Sequence, residues 1–152
     1  MTQVEQTSDV RREIRIAASP ATVFALLTDA KRMRVWLADT VAASPEPGGI
    51  FRMVDPGGRT IEGRYVEVVP DRKVVFTWGG VYGLKPGETT VEIQLVPDGA
   101  GTLLKLRHSG LPAAVIEAHD AGWGLGLSKL QAAAAGRDPG GPAFGDPAMA
   151  RQ

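Results

Sequence analysis

The sequence has no cysteine. Disulfide scaffolds, thiolate-ligated zinc, iron–sulfur clusters and thiol nucleophiles are therefore excluded. Aromatic residues make up only 6% of the chain, so Trp36, Tyr65, Trp78 and Trp123 stand out as candidate anchors. Neither sign of charge prevails: Lys plus Arg number 17, Asp plus Glu number 17, and the formal net charge is zero. A nucleic-acid-binding protein would need a concentrated basic face, and none is evident. No hydrophobic run approaches the roughly 18 residues of a membrane span. The polar start "MTQVEQTSDVRRE" lacks the apolar core of a secretory signal. A soluble, cytoplasmic protein is expected. No nucleic-acid or membrane partner, cofactor or metal is expected either.

What is present is enough for one domain. A chain of 152 residues can bury about 70% of the surface that it exposes when unfolded. Residues 1–9 read as a flexible arm, and "VRREIRIAA" (10–18) alternates as a strand. "SPATVFALLTDAKRMRVWL" (19–37) opens with Ser19 at the N-cap and Pro20 at the first helical position. Asp29 divides it into two short helices, the second ending at Trp36.

Alternating segments follow over 50–55, 60–69, 74–78, 89–96 and 102–108, separated by "PGGR", "PDRK", "GGVYGLKPGE" and "PDGAG". A long helix is expected over 112–135. The Gly- and Pro-rich remainder, 137–152, reads as a disordered tail. Strands bounded by helices indicate an α+β fold, and the short turns indicate an antiparallel meander. The last helix would be about 36 Å long, enough to cross a seven-stranded sheet about 29 Å wide. One helix cannot fill a curved sheet everywhere, so an internal cavity is expected.

Five segments in order, "SPATVFALLTDAKRMRVWLA", "GGIFRMV", "GRYVEVVPDRKVVFTW", "TTVEIQLVPDGAGTLLKLRHSGLP" and "HDAGWGLGLSKL", resemble the SRPBCC (START-like) superfamily. Within it they resemble the group named after the activator of Hsp90 ATPase, the AHSA1-like proteins. The resemblance covers residues 10–136. It implies the helix-grip fold, a seven-stranded curved antiparallel sheet around a long C-terminal helix with a hydrophobic cavity between them. It does not extend to the separate N-terminal domain through which the eukaryotic activator engages Hsp90. The functions it implies are diverse: hydrophobic-ligand binding, polyketide cyclisation and co-chaperone activity. Fold alone does not choose among them.

The long helix carries both histidines nearby and three glycines within it. Val115, His119, Gly122, Gly126 and Leu130 fall on one stripe, and Ile116, Trp123 and Leu127 fall on the next. Each interior Gly destabilises a helix by about 1 kcal/mol relative to Ala. Gly122, Gly124 and Gly126 either leave space for a ligand or permit close approach to the sheet. "GWGLGL" is not a dinucleotide fingerprint, because the third glycine is missing and the stretch lies within a helix. No Walker A motif or nucleophile elbow is present. Glu62 and Arg64 share a strand face. Turned inward they would form a polar spot, and turned outward a solvated surface.

The expected cavity wall comprises Phe24, Leu27, Trp36, Phe51, Met53, Tyr65, Trp78, Val91, Ile93, His108, Val115, His119 and Trp123. For each, ordinary core packing is the alternative. The favoured function is binding of a small hydrophobic or aromatic molecule, and homodimerisation is left open. The alternatives are a cyclase- or aromatase-like enzyme using His108, His119 or the Glu62–Arg64 pair, and a protein-interaction domain.

Overall fold

The structure is a computed structural model, and it describes residues 7–144. β1 (Thr7–Ile16) leads into α1 (Pro20–Thr28) and α2 (Ala30–Trp36). Then come β2 (Thr40–Ala43), β3 (Ile50–Val54), β4 (Thr60–Val69), β5 (Lys73–Trp78), β6 (Thr89–Asp98) and β7 (Gly101–Pro112). A 3-10 turn (Ala113–Val115) opens α3 (Ile116–Ala134). The seven strands form one sheet in the order β1-β7-β6-β5-β4-β3-β2, every pair antiparallel.

The helix boundaries follow from their caps. The Ser19 hydroxyl accepts from the Thr22 amide at 3.2 Å. Asp29 ends α1 and starts α2, its carboxylate accepting from the Lys31 amide at 2.9 Å. This satisfies one of the amides that a helix start leaves without an internal partner. The Trp36 indole N–H donates to the Leu26 carbonyl at 2.7 Å, pinning α2 to α1.

Alternation sends Ile61 and Tyr65, Val74 and Phe76, Val91 and Ile93, and Leu104 and Leu106 inward. On β4, a Cβ at Gly63 would collide with the Thr77 carbonyl. Only glycine allows this close approach. Gly63 and Tyr65 are buried, and by alternation Glu62 and Arg64 face outward. Glu62 pairs with Arg52 at 3.3 Å and Arg64 is exposed, so the pair forms no polar spot inside.

Four expectations are corrected. Thr7–Asp9 belong to β1 rather than to a flexible arm, while residues 1–6 lie outside the described residues. β2, which the strand pattern did not reveal, pairs with β3 at the sheet edge. β7 runs on to Pro112, so α3 begins later than expected. Leu111 is buried and pairs with Ser8, and that pairing outweighs the turn tendency of "SGLP".

The fourth correction concerns the tail. Residues 137–144, expected to be disordered, return along the domain. α3 ends in a Schellman motif: Gly136 (φ +75°) donates to the Ala133 carbonyl, and Arg137 donates to the Ala132 carbonyl. The chain turns again at Gly140 and Gly141. Ala143 then donates to the Trp36 carbonyl at 2.8 Å, and Phe144 to the Leu37 carbonyl at 2.7 Å. Phe144 is 1% exposed, and this burial of a large ring holds the segment down. Residues 145–152 lie outside the described residues.

Candidate functional site

Between α3 and the inner face of the sheet lies a cavity of about 30 Å³. Leu37, Met53, Ile61, Trp78, Tyr82, Ala118, His119, Gly122, Trp123, Gly126, Ala143 and Phe144 line it. Of the residues expected there, Met53, Trp78, His119 and Trp123 line the space. Phe24, Leu27, Trp36, Phe51, Tyr65, Val91, Ile93, His108 and Val115 do not. Phe24 and Val115 pack at the margin of the core, and the other seven are buried within it.

Physical reasons separate the two groups. Trp36 spends its indole N–H on Leu26. Phe51 stacks on Phe76 with ring centroids 4.2 Å apart, filling the space between β3 and β5. Tyr65 meets Phe51 edge-on, and burial pushes its phenol pKa well above the usual range. The sequence reading missed Tyr82, Phe144 and Ala143. Tyr82 sits in a loop at φ +55°, a conformation sparsely populated by non-glycine residues and one that often marks a functional position.

His108 is locked. The Trp123 indole N–H donates to its Nδ1 at 2.9 Å, so Nδ1 is unprotonated. The proton of the neutral ring is therefore on Nε2, which lies 2.7 Å from the Thr89 hydroxyl and donates to it. Thr89 in turn donates to the Trp78 carbonyl at 2.7 Å. Every donor in this chain has its acceptor. Burial, with a smaller contribution from His119, pushes the His108 pKa down to about 3.

His119 differs. Its Nδ1 lies 2.8 Å from the Val115 carbonyl. A carbonyl only accepts, so Nδ1 carries the proton and Nε2 is left with a lone pair. Burial lowers the His119 pKa, partly opposed by the bond to Val115. The ring is therefore neutral at physiological pH. Its Nε2, the Trp78 indole Nε1 and the hydroxyls of Tyr65 and Tyr82 are buried without a hydrogen-bond partner among the described residues. Native interiors rarely leave such atoms unpaired.

A clamp stands beside the cavity. Arg59 Nε donates to Asp55 Oδ2 at 2.7 Å, and the Arg59 amide donates to Oδ1 at 2.9 Å. Burial raises the Asp55 pKa, but the bonds and charge of Arg59 outweigh this and leave it lowered. The Arg59 guanidinium lies 5.1 Å above the Phe144 ring in cation–π geometry.

The glycines of α3 serve different neighbours. Gly122 and Gly126 border the cavity. A Cβ on Gly124 would meet the Arg12 guanidinium at 3.0 Å, where Arg12 pairs with Asp120. Among the described residues no cluster of three His, Asp or Glu gathers. No helix among them is long and apolar enough to cross a membrane.

A curved antiparallel sheet gripping one long helix across an apolar cavity is the helix-grip architecture of the SRPBCC superfamily. The chain belongs to the Activator of Hsp90 ATPase homolog 1-like family, whose sequence model matches residues 17–135. An AHSA1-like protein from Rhizobium etli, solved by NMR, is 41% identical, with 92% of this chain and 90% of that one covered and a TM-score of 0.72. CalU16 from Micromonospora echinospora is 26% identical, with 98% and 91% covered and a TM-score of 0.70. The Aha1 dimer from Colwellia psychrerythraea is 20% identical, with 83% and 95% covered and a TM-score of 0.73, a likeness of fold alone. Among curated proteins, none matches.

Proposed function

We propose that the protein binds a small, neutral, largely apolar molecule between α3 and the sheet. The observation that carries this reading is the pair of unpartnered ring nitrogens, Trp78 Nε1 and His119 Nε2, on two residues that border an apolar cavity. One is a donor and the other an acceptor. A ligand hydroxyl has the chemistry to serve both, accepting from Trp78 and donating to His119, whose ring centroids lie 6.5 Å apart. Burial removes these atoms from bulk solvent, and leaving either unpaired costs about 1–3 kcal/mol. A ligand that pairs them recovers that energy, whereas a charged ligand would find no countercharge among the described bordering residues other than a protonated His119, which burial disfavours.

The enzyme reading would use the same His119 as a general base. Among the described residues, Tyr82 is the only other titratable side chain bordering the cavity, and none orients a nucleophile toward His119. A lowered pKa also makes His119 a weak base. Binding is the better supported function.

Titration with 1-naphthol and with naphthalene tests the reading, followed by Trp fluorescence. The hydroxylated probe is expected to bind about tenfold more tightly, in keeping with one buried charge-free hydrogen-bonded pair. Equal affinities, or no binding of either, would count against it.

A further inference from the structure

We infer that the seat of Phe144 is an aromatic-ring subsite of this cavity, filled in the ligand-free protein by the chain's own side chain. A ligand enters by displacing the segment that carries it. The inference rests on the ligand-binding reading above and adds where the ring goes and what must leave.

The remaining space, about 30 Å³, is that of one or two water molecules and admits no ring. Binding therefore requires part of the wall to move. The sheet walls are held by continuous ladders, and α3 is held by its packing on β1, α1 and α2. The segment after α3 is held differently. Two backbone bonds tie Ala143 and Phe144 to the carbonyls of Trp36 and Leu37. Lys129 donates to the Pro139 carbonyl at 2.9 Å. Gly136, Gly140 and Gly141 adopt positive φ, a region open to glycine, and mark the points at which the segment could turn away.

The seat is also built for a ring. Phe144 is fully buried although its neighbours are Gly, Pro, Ala and Asp. Arg59 lies over its face and is itself fixed by Asp55. Leu37, Met53 and Ile61 border the same cavity. A planar aromatic group in place of Phe144 would keep the cation–π contact and lie in the space that Trp78 and His119 border.

The test uses the full chain, Phe144→Ala and the neutral probe N-phenyl-1-naphthylamine. Fluorescence gives affinity, and NMR hydrogen exchange follows the Ala143 and Phe144 amides. If the plug is out about one tenth of the time, removing it tightens binding about tenfold. In the wild-type protein, saturating probe is expected to strip protection from these two amides while the β5 and β6 amides keep theirs. Phe144→Leu keeps the seat apolar and covers the case in which the alanine variant does not fold. It is expected to bind more tightly than wild type.

Probe bound to wild type with both amides still protected, or variants that bind no more tightly, would overturn the inference and leave the ligand-binding reading standing. Failure of every protein to bind would overturn both.

Discussion

Gly126→Ala isolates what the helix glycines do. Gly126 has ordinary helical backbone, and an ideal Cβ there would lie 3.8 Å from the Ala143 Cβ and 3.8 Å from Trp36 Cζ3. Both are normal van der Waals distances, so the methyl group fits without displacing either neighbour. Helix propensity then contributes about 1 kcal/mol, and burying one methyl adds up to about 0.8 kcal/mol. Together these give a gain of about 1–2 kcal/mol. For a chain of this length each kcal/mol raises Tm by about 2–4 °C. Thermal unfolding followed by circular dichroism, with urea denaturation for the free energy, reads the change. Gly126→Leu is the contrasting variant. Its extra carbons have only about 30 Å³ to enter, so they overpack by about 1–3 kcal/mol or lift the Ala143–Phe144 segment. A Gly126→Ala variant less stable than wild type would refute the reasoning. It would mean that the glycine is required for close backbone approach and not for a vacancy beside the cavity.

Three further outcomes are expected. Folded His108 stays neutral down to about pH 3 whereas the unfolded chain takes up a proton near 6.5, so stability falls as pH drops through that window. The slope is about 1.4 kcal/mol per pH unit for this group, with His119 acting in the same direction. Urea unfolding at a series of pH values checks it, and a stability that is flat from pH 6.5 to 4.5 would contradict the buried neutral histidines. Trp123→Phe removes the donor to His108 Nδ1. It should destabilise by about 1–3 kcal/mol by leaving that acceptor unpaired, as measured by denaturant midpoint. Ending the chain at residue 142 removes the buried Phe144 ring. It should lower stability by up to about 3 kcal/mol, the lower end of the range for deleting a core Phe, and an unchanged Tm would show that the ring contributes nothing.

The strand–helix–meander–helix order was legible because each element carries its own period: alternation in "TTVEIQLV" and a Ser-Pro start with an Asp break in α1 and α2. β2 was not legible because "TVAA" is four half-exposed residues whose strand character comes from pairing with β3. The end of β7 was hidden by Gly110 and Pro112, which read locally as a turn. The docking of Phe144 left no periodic trace, since a single anchor in a Gly- and Pro-rich segment produces no pattern.

The site was half legible. Position alone brought His108 and His119 toward one region, and their rings lie 5.2 Å apart. It could not say that Trp123 and Thr89 occupy both nitrogens of one ring while the other ring keeps a free lone pair. That difference depends on which side chains meet across β6, β7 and α3.

The central claim is that His119 Nε2 and Trp78 Nε1 are the polar handle of a ligand site. The most direct measurement is the imidazole and indole ¹⁵N–¹H NMR spectrum of the protein at neutral pH, with and without 1-naphthol. His119 is expected to be neutral with its proton on Nδ1, and both the His119 Nε2 and Trp78 Nε1 resonances are expected to shift together as the probe saturates. A probe that binds while these two resonances stay fixed, or a His119 whose proton sits on Nε2, would contradict it.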